Sequence, residues 1–213
     1  MLFVLDLDDT LYLERDYVRS GFVSVDHWIQ QELNVTGFLK KAWQLFLDGE
    51  RGKIFNQALS EMNLDDSGIV EKLVSVYRSH EPSINLEPDA AFFLDSKPKR
   101  NLSIITDGYS ISQWAKINAL KLKDKVRQTI VTGDWGKEFW KPHHRAFEHV
   151  SKSHDPLECI YIADNPEKDF KAPEQLGWAE SIRIRRPGGL HFHLETPSRC
   201  IEVSSFDEII GMF

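Results

Sequence analysis

The sequence predicts an α/β fold, a mostly parallel sheet with helices on both faces, plus an inserted helical segment after the first strand. Three observations carry this expectation. The chain opens on an apolar run, Phe3-Val4-Leu5, that meets two carboxylates spaced one residue apart, Asp6 and Asp8. Between Glu14 and Leu86, apolar residues recur with the 3.6-residue period of amphipathic helices. From Pro88 onward, short apolar runs alternate with helical stretches, an order that builds right-handed crossovers and a parallel sheet.

The opening run reads as a buried parallel strand because such strands are uninterrupted apolar stretches rather than alternating ones. The helical stretches that follow are marked by Val18, Phe22, Val25 and Ile29; by Phe38, Leu39, Ala42, Trp43 and Phe46; by Ile54, Phe55, Ala58, Leu59 and Met62; and by Ile69, Val70, Leu73, Val74 and Tyr77. Turn-forming residues separate them at Asn34 to Gly37, Asp48 to Gly52 and Asn63 to Gly68. The spacing therefore predicts a small bundle of antiparallel helices. Leu102 to Ile105, Gln128 to Val131, Cys159 to Ile162 and Ser181 to Ile184 read as further strands. Between them, Ser110 to Leu120, Pro142 to Ser153 and Pro166 to Leu176 read as helices, the last bent or weakened by Pro173. The basic stretch Arg183-Ile184-Arg185-Arg186 is expected to end its strand with solvated charges, and Cys200 to Phe213 to add a short strand and a closing helix.

Composition narrows the function. With 213 residues, 41% hydrophobic and 28% charged, the chain has the make-up of a soluble globular protein of one large or two small compact units. A net charge of −7 and the lack of a long basic run argue against a nucleic-acid partner. A small anionic substrate is compatible with this charge if a metal ion offsets it locally. Cys159 and Cys200 lie far apart with no CxxC spacing. The chain opens on a strand, and no stretch approaches the ~20 apolar residues that span a bilayer. A cytoplasmic protein with reduced thiols and no membrane partner is the expectation.

Four segments that follow predicted strands hold the polar chemistry. They are Asp6-Leu7-Asp8, Thr106-Asp107-Gly108, Lys141-Pro142 and Asp164-Asn165-Pro166-Glu167-Lys168-Asp169. Open parallel sheets bind ligands just past the carboxyl ends of their strands. Taken singly, each segment has an ordinary structural reading: a turn or helix cap for the aspartate pair, a β-turn for Thr-Asp-Gly, an exposed loop for Lys-Pro. The acidic stretch at Asp164 lacks the glycine and terminal glutamate of a calcium loop. In this order, however, the four segments resemble the motifs of the haloacid dehalogenase (HAD) superfamily of phosphohydrolases, the first matching the DxDx(T/V) signature. The resemblance covers nearly the whole chain outside the helical segment. Receiver domains of response regulators also use Asp, Thr and Lys, but their phosphorylated aspartate lies on a middle strand with no second acidic pair downstream. Ala163 stands where many HAD members carry Gly, and Asp8 stands where the transport ATPases of the superfamily carry Thr, which favours phosphatase or phosphomutase chemistry.

The resemblance implies a Rossmann-like core, residues 1–13 and 87–213, and an inserted helical cap, residues 14–86, of the kind found in the phosphoglycolate phosphatase and β-phosphoglucomutase group. It implies Mg²⁺-dependent hydrolysis of a small phosphorylated metabolite, such as a sugar phosphate, through an aspartyl-phosphate. Asp6 would be the nucleophile, and Asp8 the general acid and then the general base. Mg²⁺ would be held by Asp6, the main-chain carbonyl of Asp8 and Asp164, with Asp169 orienting its waters or completing the shell. Thr106 and the amides of Asp107 and Gly108 would bind the transferring phosphoryl oxygens, while Lys141 offsets charge on nucleophile and phosphate. A phosphomutase and a non-catalytic binding or regulatory protein of the same fold stay open as alternatives.

Overall fold

Strand β1 (Leu2–Leu5) is buried along its whole length and pairs in parallel on both sides, with β2 (Leu102–Thr106) and β4 (Cys159–Ala163). Its register sets Phe3 against Leu102 and Ile160, and Leu5 against Ile104 and Ile162. The remaining strands are β3 (Gln128–Val131), β5 (Glu180–Ile184) and β6 (Ile201–Val203). In this computed structural model, which describes residues 1–64 and 67–213, the described residues form a six-stranded parallel sheet in the order β3-β2-β1-β4-β5-β6. The chain runs outward from β1 through β2 and β3, then crosses back to β4 on the other side of β1. That reversal makes a switch point between the ends of β1 and β4, the place where open α/β sheets bind ligands.

Alternate residues of β1 enter opposite cores, as the period of a strand requires. Leu2 and Val4 pack with Ile105, Phe147, Tyr161, Phe170 and Trp178 on one face. On the other face, the Phe3 ring lies edge-on to Phe93 at 5.4 Å, and Phe93 meets Phe206 at 4.8 Å. Each such buried side chain stabilises the fold by roughly 1.5–3 kcal/mol. Both cysteines are free, with Cys159 buried in the first of these cores.

The helices follow the predicted order with three adjustments. The inserted segment forms α1 (Glu14–Leu33), α2 (Phe38–Leu47), α3 (Ile54–Glu61) and α4 (Ser67–Ser79). The predicted turn from Asn63 to Gly68 includes Asp65 and Asp66, which lie outside the described residues. Helix α5 (Pro88–Ser96) was not foreseen, although Pro88 at its first turn is a helix-start signal. Helix α6 (Ser110–Ala119) follows β2, and α9 (Phe206–Ile210) closes the chain. The helices expected from Pro142 and Pro166 begin later, as α7 (Arg145–Ser151) and α8 (Lys171–Gln175). In the second case the Asn165 side chain accepts the Glu167 amide at 3.0 Å, so an Asx turn takes the place of the first helical turn.

Two compact units result, residues 1–15 with 84–213, and residues 16–83. Within the second, the Phe22 ring packs against Phe46, Phe55 and Tyr77 at 5.9 to 6.5 Å.

The basic stretch departs from expectation, because Arg183 and Arg186 are buried rather than solvated. A buried guanidinium is tolerated when its fork of donors is met. Arg183 donates to the carbonyls of Asp164, Leu194 and His191 at 2.8 to 3.0 Å and to Thr196 Oγ1 at 2.7 Å. Arg186 forks the Asp89 carboxylate at 3.0 Å through both terminal nitrogens. Both arginines therefore clamp the chain that follows β5.

Candidate active site

Asp6 lies one residue past β1, and its amide donates to the Ile162 carbonyl at 2.9 Å, which carries the ladder with β4 into the site. This sets Asp6 beside Asp164, one residue past β4. Asp169 returns to the same place because its carboxylate accepts the Asn165 amide at 3.1 Å. Carboxylate oxygens of Asp6, Asp164 and Asp169, all buried, lie within 4.8 Å of one another. Lys141 enters the group with Nζ 2.8 Å from Asp6 Oδ1 and 2.7 Å from Asp169 Oδ1, and also donates to the Tyr161 hydroxyl at 3.1 Å.

Charge in this cluster is unbalanced. Burial pushes the Asp6 carboxyl up to about 7, with Lys141 opposing and Asp169 adding to the rise. Burial also lifts Asp164 well above the carboxylate range, helped by Asp169, Asp6 and Asp9. Lys141 moves upward, because Asp169 and Asp6 outweigh the effect of its burial. Buried carboxylates crowded in this way call for a further cation. An all-oxygen donor set fits Mg²⁺, which keeps several waters and takes one or two carboxylates, rather than zinc.

Asp8 turns toward α6. Lys116 Nζ lies 2.7 and 2.9 Å from its two oxygens, the Tyr12 hydroxyl donates to Oδ1, and Gln113 Nε2 approaches Oδ2 at 3.4 Å. Burial alone would raise this carboxyl, but Lys116 and these hydrogen bonds hold it below its usual value. Thr106 ends β2, and its hydroxyl donates to Gln113 Oε1 at 2.9 Å. The Asp107 side chain accepts from Thr132 Oγ1 at 2.7 Å, from the Lys141 amide at 3.1 Å and from Lys168 Nζ at 3.0 Å. It thereby latches the loop that delivers Lys141, in addition to the amide anticipated from sequence. Gly108 adopts φ +137°, a conformation that favours glycine.

Sequence reasoning missed several residues here. Asp9 accepts the Glu14 amide at 2.8 Å and the Leu190 amide at 2.7 Å, tying the start of α1 to the loop after β5. Burial lifts Asp9 to about 6 despite these bonds, and lifts Glu14 to about 8 with Asp8 adding to the rise. Lys116, Gln113, Tyr12, Tyr161 and Lys168 complete the surroundings. Only the one-turn spacing of Gln113 and Lys116 on a predicted helix could have hinted at a shared polar face.

No family model matches the chain. A glyceraldehyde 3-phosphate phosphatase from Methanocaldococcus jannaschii is 32% identical over 85 residues, 39% of this chain and 36% of that protein. A second, from Methanopyrus kandleri, is 26% identical over 87 residues, 40% of this chain and 36% of that protein. The chain thus matches just over a third of the length of these relatives. Among solved structures, the HAD-hydrolase YfnB from Bacillus subtilis bound to magnesium aligns with a TM-score of 0.66 at 15% identity, covering 99% of this chain and 97% of that one. A HAD-superfamily hydrolase of subfamily IA from Geobacter sulfurreducens aligns with a TM-score of 0.68 at 15% identity, covering 99% and 95%. The L-2-haloacid dehalogenase from Xanthobacter autotrophicus aligns with a TM-score of 0.62 at 17% identity, covering 100% and 98%. With its parallel sheet and near full-length likeness to these structures, the chain carries the fold of the haloacid dehalogenase superfamily hydrolases.

Proposed function

We propose that the chain is a Mg²⁺-dependent phosphatase that hydrolyses a small phosphate monoester of the sugar-phosphate class through an aspartyl-phosphate. The observation that carries this reading is the meeting of Asp6, Asp164 and Asp169 around Lys141 where β1 and β4 end. The partial similarity to two proteins named as glyceraldehyde 3-phosphate phosphatases supports a phosphate ester as the substrate.

In this reading, a carboxylate oxygen of Asp6 attacks phosphorus and the bond to the leaving oxygen breaks, which splits one hard hydrolysis into two easier steps. Asp8 donates a proton to the leaving oxygen, which requires that it be protonated as substrate binds, against the pull of Lys116. It then takes one from the water that attacks the phospho-aspartate, because the group that gave the proton must recover it. Thr106, on turning its hydroxyl from Gln113 Oε1, and the amides of Asp107 and Gly108 donate to the phosphoryl oxygens, and Lys141 steadies the charge shared by nucleophile and phosphate. Asp6, Asp164 and the Asp8 carbonyl, with Asp169, would hold Mg²⁺, whose positive charge lets a carboxylate approach a phosphate dianion. The helical unit, residues 16–83, serves as the cap that selects among small esters.

The test is release of inorganic phosphate from a panel of phosphorylated metabolites that includes glyceraldehyde 3-phosphate. Phosphate should appear with Mg²⁺, match substrate loss one for one, cease with EDTA, and be abolished in a folded Asp6→Asn variant. An amide cannot form the phospho-enzyme. Activity that survives exhaustive chelation or the Asp6→Asn change overturns the reading. Isomerised ester without free phosphate would mark a mutase, and Mg²⁺ binding without any product would mark a binding protein.

A further inference from the structure

The acidic turn, residues 164–169, is tied to the loop that follows β5 by two side chains, Arg183 and His191. The Arg183 side chain is wholly buried, and its donors meet oxygens in two separate segments. Nε donates to the Asp164 carbonyl at 3.0 Å, while the terminal nitrogens donate to the carbonyls of His191 and Leu194 at 2.8 Å and to Thr196 Oγ1 at 2.7 Å. Among the described residues its carboxylate partner is Glu202, at 4.0 Å, so main-chain oxygens do most to hold this cation. The planar guanidinium fork fixes its partners in one geometry, which a lysine does not. One buried side chain therefore links a residue that supplies a cluster carboxylate to the loop beyond β5.

His191 makes the second tie. The Asn165 side chain accepts the Glu167 amide through Oδ1 at 3.0 Å, which leaves Nδ2 to donate to His191 Nε2 at 3.1 Å. Inside the turn, the Asp169 amide donates to the Asn165 carbonyl at 3.2 Å, and the Asn165 amide donates to the Asp169 carboxylate at 3.1 Å. The turn is thus closed on itself and braced from outside through Asp164 and Asn165. A peptide plane fixed at Asp164 limits where its carboxylate can point. The same loop also reaches the first acidic segment, because the Leu190 amide donates to Asp9 at 2.7 Å. Outer partners of this kind orient the ligands of a metal site, and loss of one typically lowers metal affinity by about 10- to 100-fold.

Resting on the Mg²⁺ site of the reading above, we propose that Arg183 and His191 are positioning residues that hold the Asp164–Asp169 turn in the form in which its carboxylates take Mg²⁺. They act through the main chain of Asp164 and the side chain of Asn165. Their loss should appear as weaker Mg²⁺ binding in the absence of substrate. A merely structural role would lower stability and leave the affinity of the folded protein unchanged. The neighbouring Arg185 separates the two cases. Its side chain pins the same loop at the Phe192 carbonyl, 2.6 Å away, and reaches Glu202 at 3.4 Å, but neither partner belongs to the turn.

The experiment is calorimetric titration of Mg²⁺ into the metal-free chain, shown to be folded by circular dichroism, for wild type, Arg183→Lys, His191→Phe and Arg185→Met. Arg183→Lys keeps the charge and loses the fork, and should raise the Mg²⁺ Kd by about 10- to 100-fold. His191→Phe keeps a ring and loses the acceptor for Asn165, and should raise Kd by about tenfold. Arg185→Met should leave Kd at the wild-type value. His191→Phe keeps the buried arginine in place, so it carries the comparison if Arg183→Lys does not fold. A wild-type Kd in a folded Arg183→Lys or in His191→Phe, or an equal rise in Arg185→Met, overturns the positioning role and leaves the phosphatase reading intact. A wild-type chain that binds no Mg²⁺ overturns both.

Discussion

At Gly108 the backbone lies at φ +137° and a Cβ would fall 2.5 Å from Gln113 Nε2. Gly108→Ala is therefore expected to cost about 1–3 kcal/mol of stability, read by thermal unfolding, and to lower phosphate release as Gln113 is displaced. Asp89 gives a prediction in pH. Burial would raise its carboxyl, but the Arg186 fork and the Phe206 amide outweigh burial and hold it below the usual 3.8. Its folded value is thus lower than its unfolded one, so the stabilisation is present above pH 3.8 and is lost as pH falls through the lowered folded value. Asp89→Asn should destabilise the chain at neutral pH by about 3 kcal/mol, as removal of one partner of a buried pair does. In unfolding measured against pH, the gap between wild type and variant should narrow in acid, and a gap constant across pH would count against this account. The acidic residues of the site were readable as residue types in an ordered pattern. Lys116 was not, because it is separated from Asp8 by 108 positions and nothing local marks the pairing.

At the scale of elements, the α1–α4 segment was legible from its 3.6-residue apolar period, and β1 and β4 from their unbroken apolar runs. Helix starts were less so. The turns at Pro142 and Pro166 resemble helix beginnings in sequence, and only side-chain hydrogen bonds such as that of Asn165 to Glu167 convert the second to a turn. Close packing within the helical unit supplies a direct test. A Cβ on Gly21 of α1 would lie 2.4 Å from the Tyr77 ring of α4, so the two helices meet through this glycine. Gly21→Ala should cost about 1–3 kcal/mol, because the ring must leave its packed position. The change should appear as a lower melting temperature and faster proteolysis within residues 16–83. An unchanged protein would show that Tyr77 has room to move. In the other unit, Gly133 brings the loop after β3 against the Gly108 carbonyl, where a Cβ would lie at 2.0 Å.

At the scale of the whole molecule, the buried carboxylates of Asp6, Asp164 and Asp169 form a cluster that fits a divalent cation. Mg²⁺ should raise the melting temperature, and at a hundred times its Kd it should add about 2.7 kcal/mol. Asp164→Asn should abolish that increment and leave the chelated protein at least as stable as wild type, since one crowded carboxylate is removed. Calorimetry of both proteins in EDTA and in Mg²⁺ checks this, and a full Mg²⁺ response in the variant would refute it. The sequence by itself determined the α/β class, the inserted helices, and the identity and order of the polar residues at strand ends, because all of these are properties of short stretches of chain. Tertiary structure decided the rest. Only the strand order sets Asp6 beside Asp164, and only the packing of α6 brings Lys116 to Asp8. Burial turned Arg183 from an expected surface charge into a clamp on the chain after β5. These outcomes depend on which distant segments share one interior and on where the few buried donors find their acceptors, and no local pattern encodes that.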